Sequence, residues 1–195
     1  MAEPPPPSFW HSRGYLPHFD APGQIQALTF RLADSVPASV VATWRAELSS
    51  SPNDPELRKR ITRYEDAGHG SCLLRIPENS ELVESCLLYA DGQRYRLLEW
   101  TIMPNHVHAL IEPLNQTPLG EIIRTWKTYS ARLMNQRHRR TGTLWAPEYH
   151  DRFIRDQDHY ENAKAYIRRN PVKAGLCRAA EDWRWSSAYY GTQRP

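Results

Sequence analysis

Cysteine is scarce, and the three present, Cys72, Cys86 and Cys177, are widely spaced with no C-x-x-C pair. Neither a disulfide framework nor a thiolate zinc knuckle is expected, and a reducing, cytosolic setting fits best. Long apolar runs are also lacking: Ser71–Leu74 and Ala109–Ile111 fall far short of the roughly 20 residues a membrane helix needs. The start, Met-Ala-Glu-Pro-Pro-Pro-Pro, has neither a basic nor an apolar stretch, so no secretory signal is expected there. Residues 1–22 are read as a proline-rich, loosely ordered lead-in, and no internal repeat follows it. The remainder is apolar enough for one ordinary domain, taken here as 23–192.

The net charge of +3 is modest, but it is unevenly placed. Residues 1–100 carry ten Lys and Arg against thirteen Asp and Glu, whereas residues 101–195 carry fifteen against nine. The basic half includes Arg124, Lys127, Arg137, Arg139, Arg140, Arg152, Arg155, Arg168 and Arg169, spread among aromatics as a phosphate-tracking surface requires. On charge alone, a solvated basic face explains them as well.

Hydrophobic periodicity and turn residues give a coarse order of elements. Gln24–Leu32 reads as a strand, and Ser35 and Pro37 open a helix to about Leu48. Asp54-Pro55 starts a charged helix ending at Gly68, and 78–90 repeats the helical pattern. The charged helix looks like an insertion or a surface element. Strands at Gln93–Met103 and His106–Glu112 flank a Pro104-Asn105 turn. A long helix follows Thr117-Pro118, with Leu119, Ile122, Ile123, Trp126 and Ser130 on one face. Tyr149–Ile154 reads as a last strand, and Asp158 with Glu161 resembles a capping box for a helix that Pro171 is expected to stop. Strands and helices in this order imply an α+β fold, an antiparallel or mixed sheet with helices packed on it.

His106-Val107-His108 lies in one of these strands, where side chains two apart share a face, so both imidazoles can converge on one ion. Two histidines are half a metal site. Tyr166 and Asn170, at i and i+4 of the last helix, share a face; the carboxamide can complete the ligand set beside a tyrosine nucleophile. Equally, Tyr166 can be a packed aromatic and Asn170 a helix terminus. Tyr160 is the rival nucleophile, but six positions amount to a rotation of about 600°, which places it well off the Tyr166 face. His150 and Asp151 read most simply as strand-surface residues, and Trp126, Trp145, Trp183 and Trp185 as stacking or core tryptophans.

The stretches Trp100–His108 (WTIMPNHVH), Tyr149–Asp156 (YHDRFIRD), Tyr166–Leu176 (YIRRNPVKAGL) and Trp183–Ser187 (WRWSS) resemble, in this order, the single-tyrosine HUH transposases, especially their REP-associated bacterial members. That resemblance spans about Gln24–Tyr190, and against the compact family pattern 50–92 stands out as a helical insertion. It implies a central antiparallel sheet of the HUH-endonuclease, ferredoxin-like kind flanked by helices. It further implies a Mg²⁺ or Mn²⁺ ion held by His106, His108 and Asn170, with Mn²⁺ better suited to imidazole. Tyr166 would attack single-stranded, hairpin-forming DNA and give a 5′-phosphotyrosine link and a free 3′-hydroxyl. The expected setting is a bacterial cytoplasm, nucleoid-associated, with no membrane or small-molecule substrate, as a monomer with a homodimer as the alternative. Two other readings stand beside it: a domesticated hairpin-binding protein with little cleavage, and a hydrolase whose metal activates water.

Overall fold

The computed structural model describes residues 10–12, 17–19, 21–48 and 55–191. Most of the proline-rich lead-in lies outside them. Six strands are present among the described residues: β1 (Trp10–Ser12), β2 (Pro17–Phe19), β3 (Gln26–Arg31), β4 (Tyr95–Ile102), β5 (His106–Pro113) and β6 (His150–Phe153). The helices are α1 (Ala38–Leu48), α2 (Pro55–Asp66), α3 (Pro77–Leu88), α4 (Leu119–Arg137), α5 (Gln157–Lys173) and the short α6 (Ser187–Tyr190).

Strands β3 to β6 form one antiparallel sheet in the order β4-β5-β3-β6, while β1 and β2 form a separate two-stranded ribbon. With helices between β3 and β4 and between β5 and β6, this is a βαββαβ arrangement, the expected α+β fold. Period-two alternation divides the sheet into two faces. One presents Leu28, Phe30, Leu97, Trp100, Ile102, Val107, Ala109 and Ile111 to α3 and α4 in the main core. The opposite face carries Thr29, His106 and His108, with Thr29 directly opposite His108, and α5 packs over it through Ile167 against Leu110. Both faces are covered, and β5 is buried along nearly its whole length. A bulge at Leu98 re-aims β4 so that the following residue, Glu99, pairs with Leu110.

The W-R-W-S-S stretch closes the outer edge of β4. Ile102 N–H donates to the Trp185 carbonyl at 2.8 Å, Trp183 Nε1–H donates to the Ile102 carbonyl at 3.0 Å, and Trp100 N–H donates to Ser187 Oγ at 2.9 Å. A sheet edge that would otherwise be open is thereby satisfied. Trp126 and Trp145 are buried in the core, donating to Tyr95 Oη and Ser130 Oγ.

Four expectations are corrected. The N-cap of α5 is Asp156, whose carboxylate accepts from His159 N–H at 2.7 Å, and not Asp158. Pro171 does not end α5, which runs on to Lys173. The helix closes in a Schellman turn: Leu176 N–H donates to the Pro171 carbonyl at 2.9 Å and Gly175 N–H to the Val172 carbonyl at 3.0 Å, with Gly175 at φ +70°. So near the end of the helix, proline removes only its own donor, and Asn170 Nδ2–H donating to the Tyr166 carbonyl at 3.0 Å braces the turn before it. Third, the lead-in is not uniformly loose. His18 is buried with Nδ1 paired to Asp151 at 2.5 Å, and Phe19 N–H donates to the other Asp151 oxygen at 2.9 Å. Asp151 is therefore a buried partner of β2 and not a strand-surface residue.

Candidate metal and nucleophile site

His106 and His108 stand side by side on the α5-covered face of β5, both essentially inaccessible, with their Nε2 atoms 2.9 Å apart. Each ring is held from behind. His106 Nδ1 pairs with Asn105 Oδ1 at 2.7 Å, and His108 Nδ1 pairs with Thr29 Oγ1 at 2.8 Å. A carboxamide oxygen can only accept, so His106 carries its proton on Nδ1 and leaves the Nε2 lone pair facing the site. Asn105 is itself fixed, because its Nδ2 donates to the carbonyls of His69 at 2.9 Å and Glu65 at 3.2 Å. Burial pushes His106 down to about 3. His108 is pushed well below the ordinary imidazole value by burial and then by the charges of His106, His150 and Lys173. Both rings are neutral at neutral pH, the form in which imidazole ligates a cation.

α5 brings Tyr166 to the same place. Its ring lies 5.4 Å from that of His108, edge to face, and it remains 40% exposed. Burial first, then the Asp66 charge, pushes its phenol up to about 12, with the Asn170 carboxamide opposing the shift. Asn170 is buried and its Oδ1 has no hydrogen-bond partner.

A carboxylate that the sequence reading passed over also joins the site. Asp66 Oδ1 lies 3.9 Å from His106 Nε2 and has no hydrogen-bond partner, while Oδ2 pairs with Lys173 Nζ at 3.1 Å. Ligand atoms of Asp66, His106 and His108 all fall within 4.8 Å of one another. The stretch expected to be an insertion thus delivers a site residue from the last turn of α2. Its neighbour Glu65 pairs with Arg31 on β3 at 3.1 Å and is raised to about 7 by burial. A sequence signal existed: two consecutive acids at a helix C-terminus oppose the helix dipole, a local inconsistency of the sort that marks functional positions.

Two facing imidazole nitrogens, an unpartnered carboxylate oxygen and an unpartnered carboxamide oxygen make a donor set of net charge −1, which fits a divalent cation. Mixed nitrogen and oxygen donors suit Mn²⁺ somewhat better than Mg²⁺.

The nine expected DNA-contacting residues are spread over α4, β6, α5 and the segments that follow α4 and β6. Arg152 lines a cavity beside Tyr166, whereas Arg124 and Lys127 line a groove between α4 and 142–149. Lys127 is pushed down to about 8, mainly by burial, and donates to the Pro147 carbonyl at 2.9 Å. Arg168 is committed to the buried Glu99 at 2.8 Å, which ties α5 to the sheet beside Tyr166. Arg137, Arg139 and Arg140 are exposed at the C-terminal end of α4, and Arg155 and Arg169 are exposed near and on α5. Tyr160 packs with Ala163 against Leu110, Ile154 and Ile167, away from the histidines.

Among the described residues, no helix is long and apolar enough to cross a membrane. Over 97 residues the chain is 31% identical to a REP-associated tyrosine transposase of Haemophilus influenzae, covering 44% of this chain and 54% of that protein. The chain therefore spans about half the length of this curated relative. Its fold is similar to the structure of a REP-associated tyrosine transposase bound to a REP hairpin, with a TM-score of 0.62 and 17% identity over 91% of this chain and 84% of that one. Residues 73–170, half of the sequence and the part holding β4, β5, α4, β6 and most of α5, match the family model for IS200-like transposases, and the chain belongs to that family.

Proposed function

We propose that the protein is a metal-dependent endonuclease and strand transferase for single-stranded, hairpin-forming, REP-like DNA, with Tyr166 as nucleophile. The observation that carries this reading is the placement of a partly exposed tyrosine against two neutral, pre-oriented histidines whose surroundings include unpartnered oxygen donors. His106, His108, Asp66 and Asn170 are the residues that would hold the ion. A divalent cation held there supplies positive charge to the non-bridging oxygens of the scissile phosphate.

The remaining work falls to the chain. Asn105 and Thr29 hold the imidazoles; the Glu99–Arg168 pair and the Asn170 side chain hold α5 so that Tyr166 is positioned without further ordering. In the step itself, a bond forms between the Tyr166 oxygen and phosphorus and the bond from phosphorus to the 3′-oxygen breaks. The phenol proton leaves to water on the exposed side, and the 3′-oxygen takes up a proton. The phosphotyrosine keeps the energy of the phosphodiester, so a second 3′-hydroxyl can rejoin the strand by the reverse reaction. The protein is read as acting in a bacterial cytoplasm, as a monomer.

The test is incubation of wild type and Tyr166→Phe with labelled single-stranded DNA bearing a hairpin, with Mn²⁺ or EDTA, read on a denaturing protein gel. A labelled protein band requiring both Mn²⁺ and Tyr166 is expected. Cutting without a band, equally in Tyr166→Phe, overturns the reading in favour of a water-activating hydrolase. Binding without cutting across several hairpins overturns it in favour of a binding protein.

A further inference from the structure

A cavity of about 310 Å³ opens beside Tyr166, between β3, β6 and α5, and none of the steps above uses it. Its size is at the small end of the range for ligand pockets, about 300–1,000 Å³. That is room for one nucleoside, and too little for a base pair within a duplex. Ala27, Ala163 and Ile167 supply apolar walls, and His150, His159 and Asn162 supply polar groups, with Arg152 also in the lining. His159 is held by the Arg155 N–H, which donates to its Nδ1 at 3.3 Å. The lining also includes His108 and Tyr166 themselves, so an occupant lies beside the reacting group.

We infer that this cavity receives the unpaired base of the nucleotide next to the scissile phosphate, with His150, His159 and Asn162 facing its edge. The inference rests on the cleavage reading above and deepens it. Flat aromatic and imidazole faces beside small apolar side chains suit a stacked base, and a carboxamide with two imidazoles offers both donors and acceptors to it. In-line attack puts the leaving 3′-oxygen on the side opposite the Tyr166 oxygen. The nucleotide seated beside Tyr166 is accordingly the one that keeps the phosphate. A base buried here must be unpaired, which restricts the substrate to single-stranded DNA at the cut even where the flanking DNA is a hairpin.

The experiment is a titration of ¹⁵N-labelled wild type in EDTA, where no cleavage chemistry intervenes, with each of the four 5′-deoxynucleoside monophosphates and with deoxyribose 5-phosphate, followed by amide shifts. The expected result is saturable shifts at Thr29, Asn162 and Ala163, with at least one nucleotide binding tenfold or more tightly than the sugar phosphate. Ala163→Phe fills the cavity and should weaken that nucleotide at least tenfold. Asn162→Ala, at an exposed helix position that leaves folding intact, should change the ranking among the four bases. Equal binding of the sugar phosphate, or shifts confined to the Arg124 and Lys127 groove, would overturn the inference. The covalent-band assay is independent of this one: a band from wild type with no binding in the cavity sinks only the base pocket, while binding in the cavity with no band sinks only the cleavage reading.

Discussion

Replacing Asn105 tests whether the histidine pair is oriented from behind. Its side chain accepts from His106 Nδ1–H at 2.7 Å and donates to the His69 and Glu65 carbonyls. In Asn105→Ala the two carbonyls are little affected: that of Glu65 still accepts from Gly68 N–H at 2.9 Å, and His69 is an exposed residue. The group truly orphaned is His106 Nδ1–H, on a ring 1% exposed. One buried unsatisfied donor costs about 1–3 kcal/mol, so the expected loss is about 2 kcal/mol and not three times that. The second consequence is chemical. Without an acceptor at Nδ1, the His106 proton can move to Nε2 and remove the lone pair that faces the site. Loss of such an outer partner typically lowers metal affinity about 10- to 100-fold. Asn105→Asp separates the two effects: it keeps the acceptor for Nδ1–H but sets a carboxylate against two carbonyl oxygens. It should retain most of the Mn²⁺ affinity while losing at least as much stability as the alanine variant. Urea unfolding and calorimetric Mn²⁺ titration read both quantities. Mn²⁺ binding by Asn105→Ala as tight as wild type, or equal losses of Mn²⁺ affinity in the two variants, would refute the orientation argument.

Three further outcomes are expected. Asp66→Asn should weaken Mn²⁺ binding at least tenfold by calorimetry while changing stability by less than about 1 kcal/mol, because its ion pair with Lys173 is exposed on the lysine side; unchanged Mn²⁺ affinity would remove Asp66 from the ligand set. Gly175→Ala should cost about 1 kcal/mol in urea unfolding, since φ is +70° although nothing lies within 4 Å of the added methyl; no cost would deny the left-handed helix end its role. Burial lowers the His18 pKa, but the hydrogen bond and charge of Asp151, then those of Glu148, outweigh it and hold it above 6.5. The stability it contributes is complete below about pH 6.5 and is lost as pH rises through the folded value; Glu65, raised to about 7, gives a decline in the same direction. Denaturation midpoints from pH 6 to 8.5 should therefore fall less steeply in His18→Gln than in wild type, and identical slopes would contradict the assignment.

What the sequence made legible was what repeats locally. Turn residues bounded β4 and β5, three-to-four spacing marked α4 and a capping pattern marked α5, and the strand and helix periods placed His106 with His108 and Tyr166 with Asn170 on common faces. Contacts between residues far apart in the chain left no periodic trace. Asp66 reaches His106 across forty positions, and His18 meets Asp151 from a proline-rich stretch whose composition argued for looseness. Asn105 read only as a turn residue because its orienting role depends on where α2 ends. The proline rule misplaced the end of α5 because Pro171 falls close enough to the helix end that a glycine-closed turn absorbs the missing donor.

The most direct test of the account is to locate the DNA on the protein. Wild type is reacted with hairpin-bearing single-stranded DNA and Mn²⁺, digested with nuclease and protease, and the nucleotide-bearing peptide is sequenced by mass spectrometry. The account predicts a phosphonucleotide on Tyr166; the same modification on Tyr160 or another residue, or DNA cut with no modified tyrosine, would contradict it.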